Sequence, residues 1–186
     1  DINSLDQLVP NLSMTSSTEG SGSTVQAFIR GIGEADFAPV LDPGVGIYID
    51  GVYIARTMGS NLEFNDLDRI SVLRGPQGTL FGRNTIGGAI NVVTREPMGN
   101  MPTKITTTVG EYGYIGFSGY GETSLSDTTS ASIAVLSKKS DGWQKRENSD
   151  NGGNHDMLGA RAHLVYVSDD NFKSHFIIDA TSQDQQ

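Results

Sequence analysis

The chain has 186 residues, 36% of them hydrophobic, and no run approaches the roughly 20 apolar residues that a spanning helix requires, so a helical membrane protein is excluded. It carries no cysteine and a formal net charge of −9, which excludes a disulfide scaffold or a cysteine-ligated metal and argues against a nucleic-acid partner, since that needs a basic footprint. Glycine, at 23 residues without a three-residue period, excludes collagen and, mixed with Val, Ile, Thr and Tyr, reads as many short strands joined by tight turns.

Asp1 follows no methionine and residues 2–12 read as mid-domain sequence, so the chain is expected to be part of a longer polypeptide. Ile2, Leu5, Leu8, Val9 and Leu12 recur at helical spacing, with Pro10 stopping the helix. Residues 13–24, rich in Ser, Thr and Gly, read as a loop, and 25–32 (VQAFIRGI) as a short strand. In 45–56 (VGIYIDGVYIAR) two β-rich runs flank Asp50-Gly51, a pair suited to the positive φ angles of a type I′ turn. Asp50 is therefore a turn residue rather than a ligand. A strand at 69–74 (RISVLR) leads to the turn Gly75-Pro76-Gln77-Gly78 and then to a strand at 88–94 (GAINVVT).

After Pro97-Met98-Gly99 the strands lengthen and alternate. Ala131, Ile133 and Val135 share one face, flanked by Ser130, Ser132 and Ser137. Leu158, Ala160, Ala162, Leu164 and Tyr166 lie opposite Arg161 and His163; Phe172, Phe176, Ile178 and Ala180 lie opposite Lys173, His175 and Asp179. Each strand thus presents one apolar and one polar face. Tight turns at 124–127 and 168–171, with a long polar loop at 139–154, partly follow the short-and-long alternation of an outer-membrane barrel. A soluble β-sandwich alternates in the same way, and the pattern alone leaves both open.

The stretch 73–94, LRGPQGTLFGRNTIGGAINVVT, closely resembles the signature of the plug domain in TonB-dependent outer-membrane receptors. The pieces VQAFIRGIG (25–33), VGIYIDGVYIA (45–55) and DLDRISVLRGPQGTLFGRNTIGGAINVVTREP (66–97) stand in the family's order. TTVGEYG (107–113), DGW (141–143) and GARAHLVY (159–166) carry the resemblance into the barrel. The implied fold is an α+β plug, a small mixed β-sheet with short helices, over residues 1–98. Residues 103–186 then supply the first antiparallel β-strands, about five, of an incomplete transmembrane β-barrel that has about 22 strands in the family.

Close backbone approach and tight bends inside a barrel assign a role to the plug-motif glycines Gly31, Gly75, Gly78, Gly82, Gly87 and Gly88. Arg30, Arg74 and Arg83 read plainly as solvated surface charges. The resemblance instead implies that Arg74, and with it Arg30, pairs with barrel glutamates and locks the plug in place, because an unpaired buried charge is costly. By the same analogy the ligand-facing apices are 33–42 and 56–61, with Gly33, Glu34, Asp36, Phe37, Arg56, Thr57 and Met58 as candidate residues.

The implied function is TonB-dependent active transport of a scarce ligand, most commonly a ferric siderophore in the family, across the outer membrane of a Gram-negative bacterium. Transport of cobalamin, haem or an oligosaccharide, signal transduction and, outside the family, a soluble β-rich binding or adhesion module are the alternatives. The implied partners are TonB, through a TonB box absent from this chain that would pair by strand addition, the ligand, and outer-membrane lipid and lipopolysaccharide. No cofactor, metal site or catalytic constellation is expected. Gly75, Gly78 and Gly82 fit neither phosphate-binding glycine pattern, and His155, His163 and His175 lack ligand spacing and read as lumen-facing. Tyr112, Tyr114, Tyr120 and Trp143 fit interfacial aromatic girdles, with an outer loop as the alternative for Trp143.

Overall fold

The computed structural model describes residues 2–17, 24–34, 42–54, 66–144, 152–168 and 172–185. The chain forms two units, Asp1–Glu63 with Leu67–Thr94, and Phe64–Asp66 with Arg95–Gln186.

In the first unit a 3₁₀ helix, Ile2–Gln7, precedes strands β1 (Leu12–Ser17), β2 (Thr24–Ile29) and β3 (Ile32–Gly33), which form an antiparallel sheet in the order β1-β2-β3. Strands β4 (Val45–Ile49), β5 (Val52–Ile54), β6 (Leu67–Arg74) and β7 (Gly88–Thr94) form a mixed sheet in the order β5-β4-β7-β6. Here β4 runs parallel to β7, while the β4/β5 and β6/β7 pairs are antiparallel. The one short helix between β6 and β7, α1, spans Gly78–Phe81.

Alternating apolar residues unite the two sheets. Leu12 and Met14 of β1, with Val25, Ala27 and Ile29 of β2, meet Val45, Ile47, Ile90 and Val92 in one buried cluster. Each Val, Leu, Ile or Met side chain among them, fully removed from water, contributes roughly 1.5–3 kcal/mol.

Two expectations fail near the N-terminus. The apolar spacing of residues 2–12 supports a helix only to Gln7, and part of the expected 13–24 loop is β1. Leu12 and Met14 point inward while Ser13 and Thr15 are exposed, so a period of two overrides the turn-forming composition. The strand expected over 25–32 also breaks at Arg30-Gly31, whose φ angles of 53° and 80° turn the chain from β2 into β3. The Asp50-Gly51 turn forms as expected, with φ of 48° and 81° and Ile49 paired with Val52.

The second unit is a five-stranded antiparallel meander of β8 (Lys104–Val109), β9 (Ile115–Ser126), β10 (Thr129–Ser140), β11 (His155–Val167) and β12 (Lys173–Gln185). The β9–β10 turn falls at Asp127-Thr128, at the end of the expected 124–127 segment, and a register shift follows between Thr129 and Ser130. Part of the 168–171 turn lies outside the described residues. Thirteen residues, as in β11, make a strand about 43 Å long, which at a tilt of about 45° crosses a hydrocarbon core of about 30 Å. Among the described residues no helix is long and apolar enough to cross a membrane, which says nothing of a wall built from strands.

The burial of β11 departs from that of a soluble sandwich at its charged and apolar centre. Arg161 and His163 are 3% and 4% exposed, whereas Leu158 on the opposite face is 62% exposed. Ala160, Ala162, Leu164 and Tyr166 are exposed with Leu158. Register extends this apolar face across neighbouring strands through Ile133, paired with Ala162, and Ile178, also paired with Ala162. Ile105, Phe117, Ile133, Phe176 and Ile178 are likewise exposed. The enclosed face mixes Arg161 and His163 with buried Ala134, Leu136, Met157 and Val165, and an apolar outer band over an inner face that admits charge is the arrangement of a wall set in lipid.

Tyr120 corrects the girdle reading. It is 3% exposed and lies on the inner face with Glu122, its hydroxyl 2.6 Å from the Glu122 carboxylate. Residues of one strand that differ by two share a face, so Tyr120 opposes exposed Phe117 rather than joining it. Tyr112 is exposed in the β8–β9 connection at φ 56°, Tyr114 is half-buried, and Trp143 is exposed in the connection that follows β10.

Candidate functional site

The signature segment of the first unit is the connection between β6 and β7. Its ends are drawn together where the Gly75 amide donates to the Gly87 carbonyl at 2.9 Å and the Gln77 amide donates to the Thr85 carbonyl at 3.0 Å. The segment rests on two tyrosines of the β4–β5 hairpin. The Tyr48 hydroxyl donates to the Phe81 carbonyl at 2.5 Å, and the Asn84 amide group donates to the Tyr53 hydroxyl at 2.9 Å. The rings of Tyr48 and Phe81 meet edge-on with centroids 4.8 Å apart. Burial, and then the neighbouring Tyr53, raise the Tyr48 phenol above its ordinary pKa, so it stays protonated and available as a donor. Buried Thr85 closes the loop by donating from Oγ1 to the Gly82 carbonyl at 2.7 Å.

The motif glycines divide by what they do. Gly88 has φ 153°, and a Cβ there would meet the Leu73 carbonyl and approach the Ile29 Cδ1 to 2.7 Å. Gly87 has ordinary φ but lies so close to the Ile32 carbonyl that a Cβ would sit 2.8 Å from it. Gly31, Gly75 and Gly82 occupy turns at positive φ with open space around them. Gly78 has neither a positive φ nor a close neighbour, so the steric reason offered for it from sequence does not hold.

Asp50 does more than turn the chain. Its carboxylate accepts the Thr94 amide at 2.7 Å and the Thr94 hydroxyl at 2.8 Å, tying the β4–β5 hairpin to the end of β7. Arg30 is exposed at the tip of the β2–β3 turn. Arg74 is exposed at the end of β6, its guanidinium 3.4 Å from the Pro10 carbonyl, and Arg83 is exposed beyond α1. Gly33 ends β3 and Glu34 follows it, both half-buried. Asp36, Phe37, Arg56, Thr57 and Met58 lie outside the described residues.

The second unit holds a polar strip that the sequence did not reveal. Asp66 and residues 95–101 belong to it and are fastened to the inner face of its sheet. The Arg161 guanidinium of β11 reaches both Asp66 carboxylate oxygens, at 3.2 and 3.0 Å, and also binds Asp179 of β12. The Asp66 carbonyl accepts the Arg95 amide at 2.6 Å. The Arg95 guanidinium lies 5.7 Å from the Tyr120 ring centroid, and Glu96 pairs with Lys173 at 2.5 Å. Glu122 accepts the amides of Asn100 and Met101 at 3.0 and 3.1 Å. Residues of β9 and β12 thus hold the segment 95–101, while Arg161 of β11 holds Asp66. On the same inner face His163 Nε2 and His175 Nδ1 stand 3.0 Å apart.

None of these partners is local in sequence: Asp66 and Arg161 are 95 residues apart. The signal that the sequence does carry is the polar pair Arg161 and His163 within the otherwise apolar stretch 157–167.

Known proteins match this arrangement. The profile of the TonB-dependent Receptor Plug Domain family matches residues 1–89. The pesticin receptor of Yersinia enterocolitica is 37% identical over 94 residues, which cover 50% of this chain and 13% of that protein. The vitamin B12 transporter BtuB of Vibrio cholerae is 24% identical over 155 residues, covering 80% of this chain and 24% of that protein. The crystal structure of the ferric yersiniabactin uptake receptor FyuA from Yersinia pestis superposes with a TM-score of 0.82 at 25% identity, covering 97% of this chain and 28% of that one. The chain therefore spans less than a third of these relatives. The FyuA superposition runs through both units, so the strand meander as well as the signature segment has the receptors' fold. Residues 1–89 are thus those of a TonB-dependent receptor plug domain, and the antiparallel strands that follow have the fold of the receptors' barrel.

Proposed function

We propose that the receptor containing this chain takes up a scarce ligand, a ferric siderophore, across the outer membrane of a Gram-negative bacterium, powered through TonB. The observation that carries the reading is the burial of β11, with Arg161 and His163 enclosed and Leu158 exposed. Such a strand is unfavourable in water and suited to a wall with lipid outside and polar material inside. A plug domain of this family preceding such a wall supports a gated uptake route. The likeness to FyuA, named for ferric yersiniabactin uptake, supports an iron-complex cargo.

In this reading ligand favours the state in which TonB engages a segment N-terminal to the plug, since a ligand shifts an equilibrium only by its differential affinity. Arg74 and Arg30 pair with carboxylates of the barrel wall and hold the plug in its resting position. The segments 33–42 and 56–61 face the ligand. The relation to BtuB favours a corrinoid as the second candidate cargo.

The test is uptake of ⁵⁵Fe-labelled siderophores, with cobalamin in parallel, by a strain deleted for the receptor and complemented with the complete gene, with and without TonB. TonB-dependent accumulation of an iron complex supports the reading. Cobalamin uptake alone replaces the cargo, and accumulation of neither removes the transport assignment.

A further inference from the structure

The chain leaves the second unit after Asp66 and re-enters it at Arg95. These two points are joined, because the Arg95 amide donates to the Asp66 carbonyl at 2.6 Å and the next rung pairs Leu67 with Thr94. The β6–β7 hairpin thus rises from a two-stranded neck. Beyond the neck, residues 95–101 are bound at intervals to strands of the second unit. Glu96 pairs with Lys173 of β12, and the Ser124 hydroxyl of β9 donates to the Met98 carbonyl at 3.4 Å. Gly99, at φ 72°, lies so close to β9 that a Cβ there would meet the Ser124 amide and hydroxyl. One Glu122 carboxylate oxygen accepts the Asn100 and Met101 amides, and the other accepts the Tyr120 hydroxyl at 2.6 Å. Bonds to a carboxylate are roughly twice as strong as those between neutral groups.

We propose that Glu122 is a positioning residue that makes residues 95–101 a fixed strap on the strand sheet, so that plug rearrangement during uptake ends at the Leu67–Thr94 rung. Peeling the strap away breaks its bonds to Glu122, Lys173 and Ser124 together. A protein opens locally where the fewest such bonds are lost. In the first unit β3 meets β2 over two rungs, Phe28 with Gly33 and Ile29 with Ile32, so opening there loses less. The proposal deepens the transport reading and rests on it. In that reading TonB engages a segment N-terminal to the plug, so its pull reaches the strap last.

The test is hydrogen exchange, read by mass spectrometry, on the complete receptor in lipid vesicles through rising, sub-denaturing urea. Peptides covering β2–β3, the strap and β9 are followed. The strap should open together with β9, at a urea concentration where β2–β3 already exchanges freely. Opening of the strap together with β2–β3 overturns the proposal. Glu122→Ala should speed exchange at Asn100 and Met101 about tenfold or more, whereas Glu122→Gln keeps an acceptor oxygen and should change it by about threefold or less. Equal effects of the two variants, or none, remove the role of Glu122. Where Glu122→Ala fails to assemble, the order of opening in the wild-type receptor decides. Failure of the uptake test would defeat the transport reading without altering this order of opening, so the two failures are distinguishable.

Discussion

Ala160→Arg tests whether the exposed face of the strand sheet meets lipid. Ala160 lies near the middle of β11, opposite Val135 of β10 and Ala180 of β12, and is exposed beside Leu158 and Ala162. At the bilayer midplane an arginine destabilises a barrel by about 2–4 kcal/mol, roughly 30- to 700-fold in the folding constant. In water the same change at an exposed position is worth within about 0.5 kcal/mol. His175→Arg is the control, because His175 is exposed but on the opposite face. The complete receptor would be folded reversibly into phosphatidylcholine vesicles and unfolded by urea or guanidinium, giving ΔΔG for each variant. A large loss for Ala160→Arg with little change for His175→Arg is expected. Equal losses, or none at either position, would refute the lipid-facing assignment.

Three further outcomes follow from the first unit. Asp50→Ala strands the buried Thr94 amide at about 1–3 kcal/mol and places Ala at positive φ at about 1–2 kcal/mol more. Exchange of the Thr94 amide should accelerate accordingly, with Asp50→Asn milder because it keeps one acceptor oxygen. Gly88→Ala should cost about 1–3 kcal/mol through its clash with the Leu73 carbonyl, while Gly78→Ala should stay within about 0.5 kcal/mol, both read from denaturant midpoints. Arg74→Ala in the complete receptor should raise vancomycin susceptibility and lower exchange protection of β6; no change in either would count against the locking role.

Several of these features were readable in the sequence because they are local. The Asp50-Gly51 turn, the β6–turn–β7 signature and the apolar faces of β10 and β11 each depend on residues within a few positions of one another. The 12–17 strand was equally local, but its serines and threonines masked the alternation of Leu12 and Met14. The two faces of β11 were correctly separated, yet which one is enclosed depends on surroundings that alternation cannot supply. Aromatic character alone suits Tyr120 to a girdle, but its strand parity sets it beside Glu122 and opposite exposed Phe117, on the enclosed face. The Asp66–Arg161–Asp179 cluster and the Asp50–Thr94 tie were invisible for another reason. They join residues far apart in the chain, and nothing in the spacing of either partner announces the other.

Within the five-stranded sheet, β8 and β12 each have only one neighbour among the described residues. Each therefore carries a row of amides and carbonyls along an open hem. In a hydrocarbon phase such a hem has no water to satisfy it, so insertion strand by strand is unfavourable and closure must accompany entry.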